Sequence, residues 1–170
     1  MVPKIVQIYE KVQKIPYKIC KFEESKIDEN LKEGDCRHKA ELLYKLLKKE
    51  GYEVKKIRVV FDWKDLPLPK EIINILIHGT LWDHRSLEVK LGGKWIKVDC
   101  TWPPYTERAG FPVTKDWDGK SDTLQVTKGK LEFYDADKYV RDETKIRIDK
   151  KEAMKLADAL NKWFDSLKNH

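Results

Sequence analysis

The sequence predicts an α+β domain, with a helix at each end and an antiparallel hairpin as the clearest β element. Three observations carry this. Apolar residues recur at three-to-four spacing in Pro3–Ile15, Asp35–Glu50 and Lys150–Leu167, the period of a half-buried helix. Two alternating runs flank Gly92-Gly93, a pair that tolerates the positive φ of a tight primed turn. The chain has 170 residues, and single cores split into domains only beyond roughly 250 residues, so one domain over 1–170 is expected.

The elements follow in order. Pro3 suits a first helical position, Ile5, Ile8, Val12 and Ile15 form a stripe, and Pro16 stops the helix because its ring cannot continue one. Residues 18–33 read as a polar connection. Asp35 is placed as the N-cap of the next helix, with Ala40, Leu43, Leu46 and Leu47 on one face and Gly51 at its C-terminus. Glu53–Phe61 is rich in β-branched residues and reads as a strand. Residues 62–83 are irregular, with a short helix begun by Pro69. His84–Thr101 is the hairpin. Residues 102–123 are turn-rich, a length at which ordered loops often bind or cover ligands. Leu124–Val126 and Leu131–Phe133 read as short strands. Asp149 and Glu152 start the last helix as a capping-box pattern, with Ala153, Ala157, Leu160, Phe164 and Leu167 facing one way.

Composition narrows the class. Hydrophobic content is 41%, too high for a disordered chain. No apolar run reaches the roughly 18 residues of a membrane span, and the first twenty residues scatter Lys and Glu where a signal peptide needs an unbroken apolar core. Three Cys without a C-x-x-C pair argue against a disulfide framework or a four-thiolate zinc site and fit a reducing cytoplasm. The net charge is +6, but it rests on lysines interleaved with acids, whereas nucleic-acid readers concentrate Arg and Lys on one element; no nucleic-acid or membrane partner is expected. With 38% charged residues and only three Gln and four Asn, the composition leans toward a heat-adapted, thermostable protein.

Cys36 stands in the first turn of the Asp35-capped helix. Unpaired backbone N–H groups and the helix dipole stabilise a thiolate there, while the charge of Asp35 opposes it. A small buried thiol packing a helix start is the other reading. A thiol nucleophile needs a base, and the base an orienter. His170 is the last residue and His38 lies only two residues from Cys36, which leaves His78 and His84. A two-residue turn at Gly92-Gly93 pairs Leu91 with Lys94. One face then carries Arg85, Leu87, Val89 and Leu91 against Lys94, Ile96, Val98 and Cys100. The other carries His84, Ser86, Glu88 and Lys90 against Trp95, Lys97, Asp99 and Thr101. Asp99 then lies diagonal to His84, within side-chain reach, where a carboxylate fixes the imidazole tautomer. A solvated polar strand face gives the same alternation. Cys36, His38, His78, His84 and Cys100 match no standard zinc spacing, and no calcium loop of the D-x-[DN]-x-[DN]-G type is present; neither metal nor cofactor is expected.

Gly34-Asp35-Cys36, followed by Lys39-Ala40-Glu41-Leu42-Leu43 and Gly51-Tyr52-Glu53-Val54, resembles the nucleophile helix and following strand of the transglutaminase-like superfamily. His84 opening a strand, then Trp95 and Asp99-Cys100-Thr101-Trp102, resembles that family's His and Asp strands, in a small stand-alone prokaryotic or archaeal type of member. The resemblance covers about residues 15–104. It implies the papain-like arrangement of a nucleophile helix packed against an antiparallel sheet. Its catalytic residues would be Cys36 as nucleophile, His84 as general base and then acid, and Asp99 as orienter. The Cys36 N–H would serve an oxyanion hole, with Asn30 as a possible second donor, and Trp82 and Trp102 would wall the cleft. The implied activity is amide-bond chemistry on a peptide, protein or small amide, by hydrolysis (peptidase or amidase) or acyl transfer, with hydrolysis favoured for so small a chain. Arg85-Ser86 stands where the family commonly has Ala-Trp, and Cys100 where it has Pro or another small residue. A non-catalytic binding or scaffold module on the same fold is the other functional reading.

Overall fold

A computed structural model describes residues 1–168; His170, set aside above, lies outside them. The fold is α+β. Four antiparallel strands form one sheet in the order β3-β2-β1-β4, with β1 at Glu53–Asp62, β2 at Leu81–Leu91, β3 at Lys94–Val98 and β4 at Glu132–Asp135. Helix α1 spans Lys4–Gln13, α2 Cys36–Lys49, α3 Lys70–Ile73 and α4 Lys150–Lys168. Among the described residues, no helix is long and apolar enough to cross a membrane.

The hairpin has the expected register, with Leu91 opposite Lys94 and Leu87 opposite Val98. Gly92 and Gly93 both take positive φ, +56° and +78°, which a side chain would resist. Past Leu87 the β3 ladder ends, so the first half of β2 pairs only with β1. There the apolar alternation changes face. Val54, Leu87, Val89, Ile96 and Val98 pack with α1 and α2. Ile57, Val59 and Phe61 pack instead with Trp102, Phe111 and the Leu156, Leu160 and Phe164 stripe of α4. The face expected to be polar is therefore covered at this end: His84 and Ser86 are each only 3% exposed.

Three expectations shift. Leu124–Val126 is not a strand: the Thr123 N–H donates to the Lys97 carbonyl and the Leu124 N–H to Thr114 Oγ1, a side-chain acceptor that competes with a ladder. The fourth strand begins one residue later than read and pairs with the outer edge of β1. On α4, Leu156 rather than Ala157 lies in the buried stripe.

Candidate functional site

The start of α2 is built by its own side chains. Asp35 and His38 form a reciprocal capping box. Asp35 Oδ1 accepts from the Arg37 N–H at 3.0 Å, satisfying one of the orphan donors of a helix terminus; the cap leaves the Cys36 N–H unused. His38 Nδ1 accepts from the Asp35 N–H at 3.0 Å, so Nε2 carries the proton and donates to the Phe22 carbonyl, also at 3.0 Å. Gly34 makes this possible: a Cβ there would lie 2.6 Å from His38 Cβ. The Arg37 guanidinium closes on Asp35 from Nε at 3.0 Å and Nη2 at 2.7 Å. Burial raises the Asp35 pKa, but His38 and the Arg37 guanidinium beside it outweigh burial and hold the carboxyl down at about 2.

β2 and the chain leaving β3 supply the partners. His84 Nε2 donates to Asp99 Oδ2 at 2.7 Å, with His84 3% and Asp99 7% exposed. Asp99 Oδ1 accepts the Thr101 N–H at 2.9 Å. Burial alone would push the imidazole pKa down. The Asp99 charge, the charge of Cys36 and hydrogen bonds with both outweigh it and raise His84 to about 10. Burial would raise the Asp99 carboxyl; the imidazolium beside it and the Thr101 bonds bring it below its ordinary value instead. With Nε2 engaged by Asp99, Nδ1 is the ring nitrogen left for the thiol.

The Asp99 backbone is held at both its polar groups. Tyr9 Oη donates to its carbonyl at 2.8 Å, and its N–H donates to Thr123 Oγ1 at 2.8 Å. Next along the chain, the Thr101 carbonyl takes Lys39 Nζ at 2.9 Å; that ammonium also donates to the carbonyls of Gln13 and Ile15, at 3.0 and 2.7 Å. Lys39 is fully buried, and burial draws its pKa down to about 7, against the charges of Cys100 and Asp99. It ties the end of α1, helix α2 and the Asp99–Thr101 segment to one point. Lys39 and Thr101 stood in the motifs that carry the resemblance, but without this supporting role, and Tyr9 and Thr123 did not stand out in the sequence. Tyr9 and Lys39 sit beside apolar stripes, and only the register placing Thr101 near Asp99 offered a hint.

Cys36, His84, Trp82 and Trp102 line one cavity of about 300 Å³, with Tyr17, Phe61 and Trp63 among its aromatic walls. Trp102 is buried and its Nε1 donates to the Val126 carbonyl at 2.8 Å. Trp63 packs edge-on to Trp82 at 5.4 Å. Asn30 is not among the residues lining this cavity: it is exposed, in a turn where its N–H donates to Asp28 Oδ1 at 2.8 Å. His78, the other candidate base, lies apart, paired with Glu152 of α4. Cys100 is buried in the core, and burial pushes its thiol up to about 12. The Cys and His residues considered for a metal do not converge; among the described residues the one group with ligand geometry is His78, Asp149 and Glu152 at the α3–α4 junction. Comparison with protein-family models, with curated proteins and with solved structures finds no match.

Proposed function

We propose that the protein performs thiol-dependent amide-bond chemistry through Cys36, His84 and Asp99, on the papain- or transglutaminase-like arrangement that the sequence resembles. The observation that carries the proposal is the buried His84–Asp99 pair, 2.7 Å apart, opening on the cavity that the Cys36 helix start also lines. A buried imidazole held positive beside a thiol is the arrangement that keeps a thiolate available at neutral pH.

In the proposed cycle the Cys36 sulfur attacks the amide carbonyl. The carbon–sulfur bond forms and the carbonyl electron pair moves onto oxygen, facing the free Cys36 N–H. One such donor is worth about 2.7–4 kcal/mol in a preorganised site. As the oxyanion collapses, the carbon–nitrogen bond breaks and His84 Nδ1 gives its proton to the departing amine. A thioester remains. Water, or a second amine, then attacks it while His84 takes the incoming proton and the thiolate leaves. Asp99 stays charged throughout, holding the ring and its positive form.

The test is to incubate the native protein with a p-nitrophenyl ester and a panel of peptide amides, then locate acyl adducts by peptide mass spectrometry. An adduct on Cys36, lost in His84→Ala and cleared faster by added methylamine if amines are accepted, is the expected result. Acylation of Cys36 no faster than of Cys20 would overturn the proposal.

A further inference from the structure

Four of the six arginines of the chain, Arg37, Arg58, Arg85 and Arg141, line the cavity that holds Cys36 and His84. Three of them are committed. Arg37 grips Asp35, Arg141 grips Asp83 at 2.7 and 2.8 Å, and Arg85 pairs with Glu24. The two acids lining the cavity are also fully engaged: Asp83 takes a further hydrogen bond from Tyr139 Oη at 3.0 Å, and Asp35 is taken up by the helix cap. Arg58 is left over. It forms no ion pair among the described residues and lies 5.8 Å from the centre of the Tyr139 ring.

The placement of Arg58 is costly. It stands directly opposite Arg85 across the β1–β2 ladder, and like charges in that position destabilise a sheet. Burial, then the charge of Arg85, lower its pKa. Asp83 acts on it only through its charge, its oxygens being taken by Arg141 and Tyr139; a half-buried guanidinium without a hydrogen-bonded carboxylate, facing a second guanidinium at an aromatic cavity, has the chemistry to bind an anion.

We propose, resting on the Cys36–His84–Asp99 reading above, that the substrate carries a carboxylate close to the reacting amide and that Arg58, supported by Arg85, binds it. The aromatic walls take the apolar part of the substrate and Arg58 fixes its orientation. The same chemistry is presented by an acidic side chain in a peptide and by the free carboxylate of a small amide.

The test compares two alkylators of the same size, neutral iodoacetamide and anionic iodoacetate, on the native protein. The iodoacetamide rate at Cys36 reports the activated thiol; the iodoacetate-to-iodoacetamide ratio reports the anion site, with Cys20 as internal reference. Expected is a ratio at Cys36 well above that at Cys20, falling roughly tenfold in Arg58→Gln, the size of one charge-assisted hydrogen bond, and largely kept in Arg58→Lys. Because Arg58 also acts on Cys36 through its charge, the iodoacetamide rate is read in each variant and the anion site is judged by the ratio. Raising NaCl on the wild type should lower the ratio alone, which reads the site without any substitution. Protection of Cys36 by acetyl-Gly-Glu-Gly-amide, lost in Arg58→Gln, assigns a peptide side chain; protection by succinamate instead assigns a small molecule. Fast iodoacetamide labelling with a ratio unmoved by Arg58→Gln and by salt would overturn the anion site and leave the triad standing. Slow labelling of Cys36 by both reagents would remove the triad reading and the substrate class with it.

Discussion

Replacing Asp99 with Asn isolates the electrostatic partner of His84. The amide keeps the shape and can still accept the Thr101 N–H, but the charge is gone. What then acts on the imidazole is burial, which lowers its pKa, against the remaining charge and hydrogen bond of Cys36, so the ring should titrate well below about 10. Removing one partner of a buried ion pair costs about 3–5 kcal/mol, the range expected for the loss of stability. The sign follows from linkage. A group whose pKa is raised on folding contributes in full below its unfolded value and loses that contribution as pH rises through the folded one. For His84 the window is 6.5 to about 10. The carboxyl of Asp99, lowered on folding, loses its contribution only as the solution becomes acid. The stability gap between wild type and Asp99→Asn should therefore be largest near pH 6 and narrow toward pH 10. Lys39, drawn down to about 7 against the charges of Cys100 and Asp99, gives a slope of opposite sign over that range; without the Asp99 charge it is drawn down further, which destabilises the variant most at low pH and narrows the gap in the same direction as pH rises. The assay is ¹⁵N NMR titration of the ring, assigned with His84→Ala, beside urea unfolding at pH 6 and 9.5. An unchanged ring titration, or a gap equal at both pH values, would refute the reasoning.

Three further substitutions probe the support of the site. Gly34→Ala places a Cβ 2.6 Å from His38 Cβ; the capping box must move, at about 1–3 kcal/mol by analogy with overpacking, and an unchanged urea midpoint would contradict this. Lys39→Met leaves the carbonyls of Gln13, Ile15 and Thr101 without their shared donor; at 1–3 kcal/mol for an unsatisfied buried group the loss should be about 3 kcal/mol, and a variant as stable as wild type would show that the ammonium is dispensable. Leu160→Ala in α4 opens a cavity in the cluster behind Phe61 and Trp102, at about 2–5 kcal/mol; a loss under 1 kcal/mol by urea denaturation would mean that α4 is not part of the core behind the site.

The local rules made much of this fold legible. Asp35 and Gly51 bracket α2, Asp149 begins α4, and the Gly92-Gly93 turn set the hairpin register. That register placed Asp99 beside His84 before any distance was known. What local rules missed depends on chain segments far apart in sequence. The polar face of β2 is buried because α4 and the 102–126 segment cover it, and strand alternation alone cannot say which face a later segment covers. Lys39 was part of the helix motif, but its three carbonyls come from the ends of α1 and β3, which the motif does not contain. Arg58 and Arg85 are 27 positions apart, and only the β1–β2 register puts them opposite each other. Asn30 was placed by its sequence position ahead of α2, and the Asp28 turn holds it in solvent instead.

The central claim, an activated Cys36 thiol served by His84, is tested most directly by iodoacetamide labelling of the native protein across pH, read at Cys36, Cys20 and Cys100 by peptide mass spectrometry, with His84→Ala beside it. The account predicts fast labelling of Cys36 already at pH 6, slowed strongly in the variant, while Cys20 and Cys100, whose thiols burial pushes up, stay slow. Labelling of Cys36 that rises only at alkaline pH, with the same profile in His84→Ala, would contradict it.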